Sequence, residues 1–580
     1  MSASDLPYWQ RLRLRENHIF LALTILIGCL AGLAAVLFTL AIKGTTFLLF
    51  GISPSWLRCV LVPTSVSLVT GYLLARFFPE ARGSGVPQTE AAYHIFQGHV
   101  PARVAFGKFL TGVLCIGSGH SMGREGPSVQ IGAGIASSIG KQFHLSSERA
   151  RNLIPVASAA ALAAAFNTPI AAVLFALEEI IGDMNATLLG STVVASVASV
   201  IVERSILGNE PIFHVPQYHL THPAELSAYA VLGVAGGIVS LAFSKGLLWL
   251  RAMFMRMPVR TKIFQPAMGG LIIGVILIFV PQVLGVGYEY AGQALNGALL
   301  LRTLILLCAA KLVATIISYA SGNAGGIFAP SLYLGAMVGG AVGVLVHRFA
   351  PFPTADPGAY ALVGMGTLFA GIIRAPMTSV FMIFELTQDY QVLVPLMIAN
   401  MISYLLSTRY QPVPLYRALL LQDEVHLPQP GTQLPTGVWR AKNLMTTDFR
   451  LIPPQLSVKE AVGMISESDG NCLLVGENGL YAGLVTQEQI RQTLESGKTD
   501  TTLSALVIKE HEHVHPDHPL DLVLKRLGKN PGILPVVSRS EVHHVEGVIT
   551  PGTLMQSLQR AWTPESAIPV DADRTNPYDS

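Results

Sequence analysis

Long apolar segments separated by short polar stretches recur along the first 422 residues of the 580-residue chain. About 20 consecutive apolar residues are enough to cross a bilayer as a helix. The pattern therefore predicts a membrane protein with many helices. The apolar segments lie at residues 19–42, 57–77, 104–116, 153–181, 188–202, 226–250, 267–280, 298–319, 332–346, 362–386 and 392–406.

Several of these segments are too short to span a membrane alone, and glycine or proline interrupts them. Three interruptions share one order of residues: Gly-Ser-Gly-Val-Pro at 83–87, Gly-Arg-Glu-Gly-Pro at 123–127 and Gly-Gly-Ile-Phe-Ala-Pro at 325–330. Glycine permits a sharp turn, and proline suits the first turn of a helix. Each break would thus present free N–H groups and a partial positive charge, which favours an anion site between two halves. The alternative is a set of packing kinks in tilted helices.

Composition divides the chain into two parts. Hydrophobic residues make up 51% and charged residues only 13% of the sequence, whereas soluble domains have about 25% charged residues. A single soluble domain is therefore excluded. The residues after 422 are much richer in charge and carry an acidic excess that nearly cancels the basic excess before it, giving a formal net charge of +2. Neither part is basic enough to suggest binding of nucleic acid.

The cysteines and the N-terminus narrow the class further. The five cysteines are scattered and form no C-x-x-C pair, so they predict neither a disulfide framework nor a metal site. Arg11, Arg13 and Arg15 precede the first apolar segment, which is too long for a cleaved signal sequence. We expect a retained first helix with a cytoplasmic N-terminus.

The three interruptions, followed by Pro-Leu-Tyr at 414–416, resemble in order and spacing the signature segments of the CLC family of chloride channels and proton-coupled chloride transporters. The resemblance spans residues 19–422. It implies a polytopic α-helical membrane fold of CLC type, with two inverted halves of broken, tilted helices, and a homodimer with one anion pathway in each subunit. It also implies an H⁺/Cl⁻ antiporter of the bacterial inner (plasma) membrane. The alternative is a passive chloride channel gated by voltage or pH.

The same resemblance implies a set of chloride ligands. Ser84 and Tyr416 match the two hydroxyl donors, and the backbone N–H groups of Ile327 and Phe328 match the main-chain donors. Hydroxyl and amide donors can replace the water around a halide without trapping it as a full positive charge would. Serine at position 84 fits chloride, whereas nitrate-preferring members tend to have proline there. The alternative is that both hydroxyls are ordinary packing groups.

Glu125 is an acidic residue inside an apolar segment, beside the helix start at Gly126-Pro127. Its carboxylate is attracted to the same helix dipole as an anion, so the two must compete, and protonation would free the side chain. The resemblance makes Glu125 the external gating glutamate, with Arg124 and Lys108 supplying positive potential along the pathway. The alternative is an ion pair of Glu125 with Arg124 or Lys108.

Glu178 and Glu179 end the apolar segment that begins after Asn-Thr-Pro at 167–169. The helix dipole and their mutual repulsion disfavour the ionised forms, so one of them could accept a proton. The resemblance implies that Glu179 is the internal proton glutamate of exchangers, a position that is commonly apolar in channels. The alternative is a solvated helix end. Other charges within apolar segments are predicted to form structural ion pairs: Lys311, Arg374 and Glu385.

The C-terminal part contains two similar units, each with a helix, a β-rich run, a Gly-apolar-apolar-Thr motif and a last helix. They resemble a cytosolic α/β tandem CBS module. Such modules often bind an adenine nucleotide between their halves. If this one does, Thr486 and Thr550 are the expected phosphate or ribose contacts, because each places a hydroxyl at the start of a helix. The alternative is a packing and dimerisation platform without a ligand. Gln489 and Thr553 replace the acid or amide that usually holds the ribose, which weakens the nucleotide hypothesis.

These arguments predict that the protein requires no cofactor. Its predicted partners are chloride as substrate, protons, the lipid bilayer and a second copy of the chain. The predicted regions are a cytoplasmic N-terminus at 1–18, a CLC transport domain at 19–422, a linker at 423–438, a first CBS unit at 439–497, a second at 498–562 and a disordered tail at 563–580.

Overall fold

The computed structural model describes residues 8–51, 55–183, 186–209, 213, 221–427, 439–465, 472–477, 480–508, 512–518, 520–530, 532–538 and 544–562. The chain forms two compact units, Met1–Leu427 and Pro428–Ser580. The predicted tail at 563–580 and most of the predicted linker lie outside the described residues.

The first unit is entirely helical in the residues that are described. Its helices are α1 (Tyr8–Phe50), α2 (Trp56–Arg76), α3 (Val86–His94), α4 (Ala102–Gly117), α5 (Glu125–Gln142), α6 (Ser147–Phe166), α7 (Pro169–Phe175), α8 (Ala186–Leu207), α9 (Glu225–Met255), α10 (Gln265–Phe279), α11 (Tyr288–Leu295), α12 (Leu301–Ala320), α13 (Phe328–Phe349), α14 (Pro357–Ile372), α15 (Pro376–Thr387), α16 (Leu393–Tyr410) and α17 (Leu415–Gln422).

The outer helices expose large apolar side chains. Leu37 on α1, Trp249 on α9 and Phe279 on α10 are 49%, 68% and 79% exposed. Water would make so much exposed apolar surface costly, whereas hydrocarbon tolerates it. Seven of the described helices are long and apolar enough to cross a membrane. The prediction of a polytopic helical membrane protein is confirmed.

The centre of the unit is built from helices that do not face lipid. Every residue of α14 after its first proline is buried, and so is every residue of α6 from Leu153 onward. Alanine dominates this part of α6, and small side chains let neighbouring helices approach closely. Short, interrupted helices are tolerated at this depth because protein surrounds their free backbone groups.

The second unit is a small α/β structure with two antiparallel strand pairs, β1–β2 and β3–β4. Thr446 of the first half pairs with Val548 of the second, and buried side chains from both strand pairs share one apolar cluster. The helices and strands that the repeated motif predicts are therefore confirmed. The elements are α18 (Ala441–Leu444), α19 (Val458–Ile465), β1 (Cys472–Glu477), β2 (Leu480–Thr486), α20 (Gln487–Glu495), α21 (Leu520–Leu527), β3 (Leu534–Val537), β4 (Val545–Ile549) and α22 (Pro551–Trp562).

Candidate functional site

The three helices that follow the predicted breaks begin close together. Gly123 and Gly326 exchange two backbone hydrogen bonds of 2.7 Å, which joins the segments leading into α5 and α13. A Cβ atom at Gly326 would lie 3.1 Å from the nitrogen of Gly126, and one at Gly126 would lie 2.5 Å from Ser84 Oγ. A side chain at position 126 would collide with Ser84, and one at position 326 would be tightly confined, so glycine suits both positions. The result is a meeting point of helix N-termini, as the sequence predicts.

A fourth segment, which the sequence analysis missed, completes this arrangement. Gly285-Val286-Gly287 leads into α11, and both glycines have positive φ, as Gly83 and Gly85 do before α3. Buried lysines hold the two segments in the same way. Lys108 Nζ donates to the carbonyls of Ala81 and Gly83 at 2.7 and 2.8 Å. Lys311 Nζ donates to those of Val283 and Gly285 at 3.0 and 2.7 Å.

This equivalence relates the two halves of the unit. Lys108 precedes Gly123 by the same number of residues as Lys311 precedes Gly326, and the two glycines pair with each other in antiparallel fashion. Such reciprocal pairing is expected where two inverted repeats meet at a pseudo-two-fold axis. The fourth segment lacks the proline of the other three, so the shared order of residues could not reveal it.

Two predicted hydroxyl donors lie at the meeting point. Ser84 and Tyr416 are both 0% exposed, and their hydroxyls lie close to each other without a well-formed hydrogen bond to any described residue. A buried hydroxyl without a partner is costly, so such groups in a native protein call for an explanation. Two buried hydroxyls without a further acceptor fit the predicted role as anion donors better than ordinary packing.

The predicted main-chain donors lie at the start of α13. Phe328 is the first helical residue and Ile327 precedes it, so their N–H groups have no acceptor one turn earlier in the helix. Both residues are buried. The Phe328 ring packs against those of Phe166 and Phe369, with centroid distances of 4.9 and 4.4 Å, which fixes the beginning of the helix.

Glu125 is the first residue of α5 and is fully buried. Its Oε1 accepts a hydrogen bond of 2.5 Å from the hydroxyl of Tyr288. A Cβ atom at Gly123 would lie only 2.2 Å from Oε2, so the carboxylate fills the space between the starts of α5 and α13. The alternative of an ion pair with Arg124 or Lys108 is not observed among the described residues.

The two nearby basic residues are differently placed. Arg124 donates to the carbonyl of Ala165 at 3.1 Å, and its guanidinium carbon lies 5.7 Å from the centre of the Tyr288 ring. Its Nε is buried without a hydrogen-bond partner among the described residues. Lys108 lies behind the Ser84 turn, where it binds carbonyls. Neither side chain forms a close ion pair with a described carboxylate.

Glu178 and Glu179 follow each other along the chain but contact different groups. Glu178 accepts hydrogen bonds from the backbone N–H groups of Met377 and Thr378 at 3.2 and 2.9 Å, so it caps α15. Glu179 lies near Glu90 and Arg417, which influence it electrostatically. The turn that holds both acids, Ala176–Ile181, is widened into a π-helix, a distortion frequent at functional sites.

Glu90, on α3, was not singled out from the sequence. It is 1% exposed, and its Oε1 accepts a hydrogen bond of 3.3 Å from Arg417 Nε. The other oxygen of Glu90 is buried without a partner among the described residues. The carboxylates of Glu90 and Glu179 therefore lie near the guanidinium of Arg417, which directly follows Tyr416 in the sequence. The sequence signal that could have identified Glu90 is an acidic residue in the short helix that follows Gly-Ser-Gly-Val-Pro.

The ion pairs predicted for Lys311, Arg374 and Glu385 are wrong, because the described contacts of these side chains are to backbone groups. Lys311 binds carbonyls, as does Arg374, which donates to those of Pro412 and Ser407. Glu385 caps α7 by accepting the N–H groups of Ile170 and Ala171 at 2.9 and 2.7 Å. Free backbone groups at helix ends are abundant in this fold, so buried charges satisfy them.

A cavity of about 670 Å³ lies beside the Ser84 turn. Its wall includes Gly83, Tyr319, Arg82, Arg251 and Lys262. The Arg251 guanidinium also forms an ion pair of 2.6 Å with Asp423. The three basic side chains outnumber the two acidic residues of the wall, Glu80 and Asp423. No sequence pattern groups these residues, because they come from segments far apart along the chain.

The arrangement of helix N-termini agrees with comparison to known proteins. The family model of voltage-gated chloride channels matches residues 66–408, and the CBS domain model matches residues 441–496. The protein belongs to the CLC family. The H(+)/Cl(-) exchange transporter ClcA of Vibrio campbellii is 32% identical over 410 residues, which are 68% of this chain and 87% of the relative.

Two solved structures extend the comparison. A slow cyanobacterial Cl⁻/H⁺ antiporter has a TM-score of 0.64 and 29% identity, and the match covers 70% of this CLC chain and 97% of the antiporter. A eukaryotic CLC transporter has a TM-score of 0.60 and 22% identity, and that match covers 92% of this chain and 97% of the transporter. The second likeness concerns the fold alone. The predicted CLC fold with a C-terminal CBS domain is confirmed.

In the C-terminal unit of this CLC protein, Thr486 and Thr550 cap the helices that follow them. The Thr486 hydroxyl accepts the N–H of Gln489 at 3.2 Å, and the Gln489 side chain accepts the N–H of Thr486 at 2.9 Å. The Thr550 hydroxyl likewise accepts the N–H of Thr553 at 3.1 Å. Both residues that replace the expected ribose contact therefore fold back onto the capping threonine.

Proposed function

We propose that this CLC protein is a secondary active antiporter that moves chloride across the membrane in exchange for protons. The observation that supports it most is the placement of Glu125. A fully buried carboxylate lies where helix N-termini converge, close to a hydroxyl that makes no well-formed hydrogen bond to the described residues. The relatives named as H⁺/Cl⁻ exchangers support the same function.

Chloride would be bound by the hydroxyls of Ser84 and Tyr416 and by the N–H groups of Ile327 and Phe328. These donors are neutral, and the partial positive charge of the helix N-termini attracts an anion without a full countercharge. Weak, multiple donors suit a site that must also release its ion. Lys108 and Arg124 add positive potential, and Lys108 additionally holds the Ser84 turn in shape.

Glu125 would act as the external gate. Its ionised form and chloride are both attracted to the start of α5, so they exclude each other. Protonation removes the charge and with it the reason for the side chain to remain there. Proton uptake and anion passage are thereby coupled, which is the requirement for exchange rather than passive flow.

Glu179 would transfer protons on the internal side. Its neighbour Glu178 is engaged in capping α15, which leaves Glu179 as the carboxylate of the pair that is free to exchange protons. Glu90 and Arg417 lie next to it, and a guanidinium shared by two carboxylates can stabilise either one when the other is protonated.

The protein would act as a homodimer in the bacterial inner membrane, with its N-terminus and both CBS units in the cytoplasm. The bacterial origin of the exchange transporter and of the cyanobacterial antiporter supports this location. We retain residues 19–422 as the transport domain, 439–497 as the first CBS unit and 498–562 as the second.

The CBS units would act as a packing and dimerisation platform, and an adenine nucleotide would bind weakly or not at all. The hydroxyls of Thr486 and Thr550 each accept a capping hydrogen bond from a helix N–H group. The side chains of Gln489 and Thr553 are directed at the same caps.

The deciding experiment is uphill proton transport by the purified full-length protein in liposomes. An outward chloride gradient should drive protons inward against their own gradient, measured with a pH electrode. Chloride flux without any uphill proton movement would instead identify a passive chloride channel. Empty liposomes with the same gradients serve as the control.

A further inference from the structure

Tyr288 is the side chain that holds Glu125 in the structure. It is the first residue of α11, directly after the fourth segment, Gly285-Val286-Gly287. Its hydroxyl donates a 2.5 Å hydrogen bond to Glu125 Oε1. Hydrogen bonds to an ionised carboxylate are shorter and about twice as strong as those between neutral groups. A phenol in this position therefore stabilises the ionised form of Glu125 more than the protonated form. Glu125 is fully buried, whereas Tyr288 is partly exposed.

The Tyr288 ring is fixed by its neighbours. It lies 5.3 Å from the ring of Phe213 in an edge-on arrangement and 6.4 Å from that of Phe166. The Arg124 guanidinium lies 5.7 Å from its centre on the remaining side. Because these contacts restrict the ring, the hydroxyl is directed at Glu125 without further loss of side-chain freedom.

The other charged and titratable groups around Glu125 do not provide an equivalent contact. Arg124, adjacent on the chain, acts through its charge, and Glu203 on α8 faces Arg124 in turn. The Tyr416 hydroxyl on α17 also lies within electrostatic reach, and α13 contributes the backbone N–H of Ala329. Among the described residues, only Tyr288 donates a side-chain hydrogen bond to Glu125.

We propose that Tyr288 is a positioning residue that latches the ionised Glu125 in its closed position and so sets the pH at which exchange is half-maximal. This inference rests on the proposed function, because it needs Glu125 to be the gate. The latch distinguishes the two protonation states, since a phenol donates strongly to a carboxylate and only weakly to a carboxylic acid. Protonation therefore releases the gate from the same group that holds it closed.

Tyr288→Phe tests the latch, because it removes the hydroxyl and keeps the ring and its contacts. Loss of one hydrogen bond to a charged group should favour the protonated gate by about tenfold, which corresponds to about one pH unit. In liposomes, the pH of half-maximal exchange should therefore rise by about one unit, and chloride turnover at neutral pH should increase. An unchanged pH profile in correctly assembled protein would overturn the proposal.

Tyr290→Phe is the matched control, since Tyr290 lies on the same short helix and its hydroxyl has no described contact with Glu125. Its pH profile should equal that of the wild type. Tyr288→Leu, which lacks both hydroxyl and ring, should show the same upward shift as Tyr288→Phe and gives an independent measure if the phenylalanine variant assembles poorly.

The double variant with Glu125→Gln separates a latch from a structural role. A neutral glutamine has no charge to hold, so Tyr288→Phe should change chloride flux less than twofold in that background. A large effect there would show that Tyr288 acts elsewhere and would overturn the latch. Uphill proton movement surviving in Glu125→Gln alone would instead refute the proposed gate, so the two failures are distinguishable.

Discussion

Glu178, in the π-helical turn after α7, caps α15, and Glu385, near the end of α15, caps α7. Glu178 accepts the N–H groups of Met377 and Thr378 at the start of α15, and Glu385, near the end of α15, accepts those of Ile170 and Ala171 at the start of α7. The residues that precede the two helices, Thr168 and Ala375, supply no side-chain cap. A proline begins each helix, and its glutamate follows at the same spacing. The two inverted halves thus complete each other's helix ends.

Glu178→Gln and Glu385→Gln should each destabilise the protein. A helix cap contributes about 0.5–2 kcal/mol, and an amide is a weaker acceptor than a carboxylate. We expect a lower melting temperature in detergent, followed by intrinsic fluorescence. Glu289→Gln, a change of an exposed acid on α11, is the control and should melt as the wild type does. Equal melting of all variants would contradict the capping role.

Glu125→Gln and Glu125→Ala should abolish proton coupling while chloride flux persists, because a neutral side chain neither transfers a proton nor competes with chloride as a charge. Proton flux should fall to the level of empty liposomes. Chloride efflux measured with a silver chloride electrode should remain. Asp356→Asn alters an exposed acid before α14 and should retain coupling. Persistent uphill proton movement in Glu125→Ala would refute the gate.

Glu179→Gln should stop proton movement but leave chloride transport, since its proposed role lies off the anion path. The adjacent Glu178→Gln is a sharp control, because Glu178 is already engaged as a helix cap. It should keep its proton flux despite a lower melting temperature. If both fluxes fall equally in well-folded Glu179→Gln, its role is structural instead.

Ser84→Pro should shift the anion preference from chloride toward nitrate. Proline removes both the hydroxyl and the amide hydrogen at that position, and one hydrogen bond corresponds to about a fivefold change in relative affinity. Flux ratios in liposomes with either anion measure the shift. Ser84→Ala removes only the hydroxyl and separates the two contributions. An unchanged ratio in both variants would exclude Ser84 as a ligand.

Titration of the full-length protein with ATP, ADP and AMP should give little or no heat of binding. The helix-capping geometry of Thr486 and Thr550 leaves their hydroxyls occupied. Isothermal calorimetry in detergent measures this directly, with buffer injections as the blank. Tight binding of any of the three nucleotides would show that the residues at 489 and 553 are a poor guide to the ligand.

The sequence by itself determined the class of the protein and most of the residues of the proposed anion site. Apolar length and low charge predicted the membrane helices, and the repeated motif predicted the strands of the C-terminal unit. Glycine and proline act locally, so the starts of α3, α5 and α13 could be located from residues 83–87, 123–127 and 325–330 alone. Glu125 was identifiable because an acid in an apolar segment is costly unless it has a role.

Only the tertiary structure decided which distant groups meet. Tyr288 and Glu125 are 163 residues apart, and Glu178 and Thr378 are 200 residues apart. Neither pairing can be recognised from a local pattern in the sequence. The fourth break lacks proline. The ion pair predicted for Lys311 is wrong because its partners are carbonyl groups on another segment. The sequence does not show which distant group satisfies a backbone group that is freed at a helix end. The partners of these backbone groups are chosen by the folding of the two halves against each other, since every such group must be satisfied within the protein.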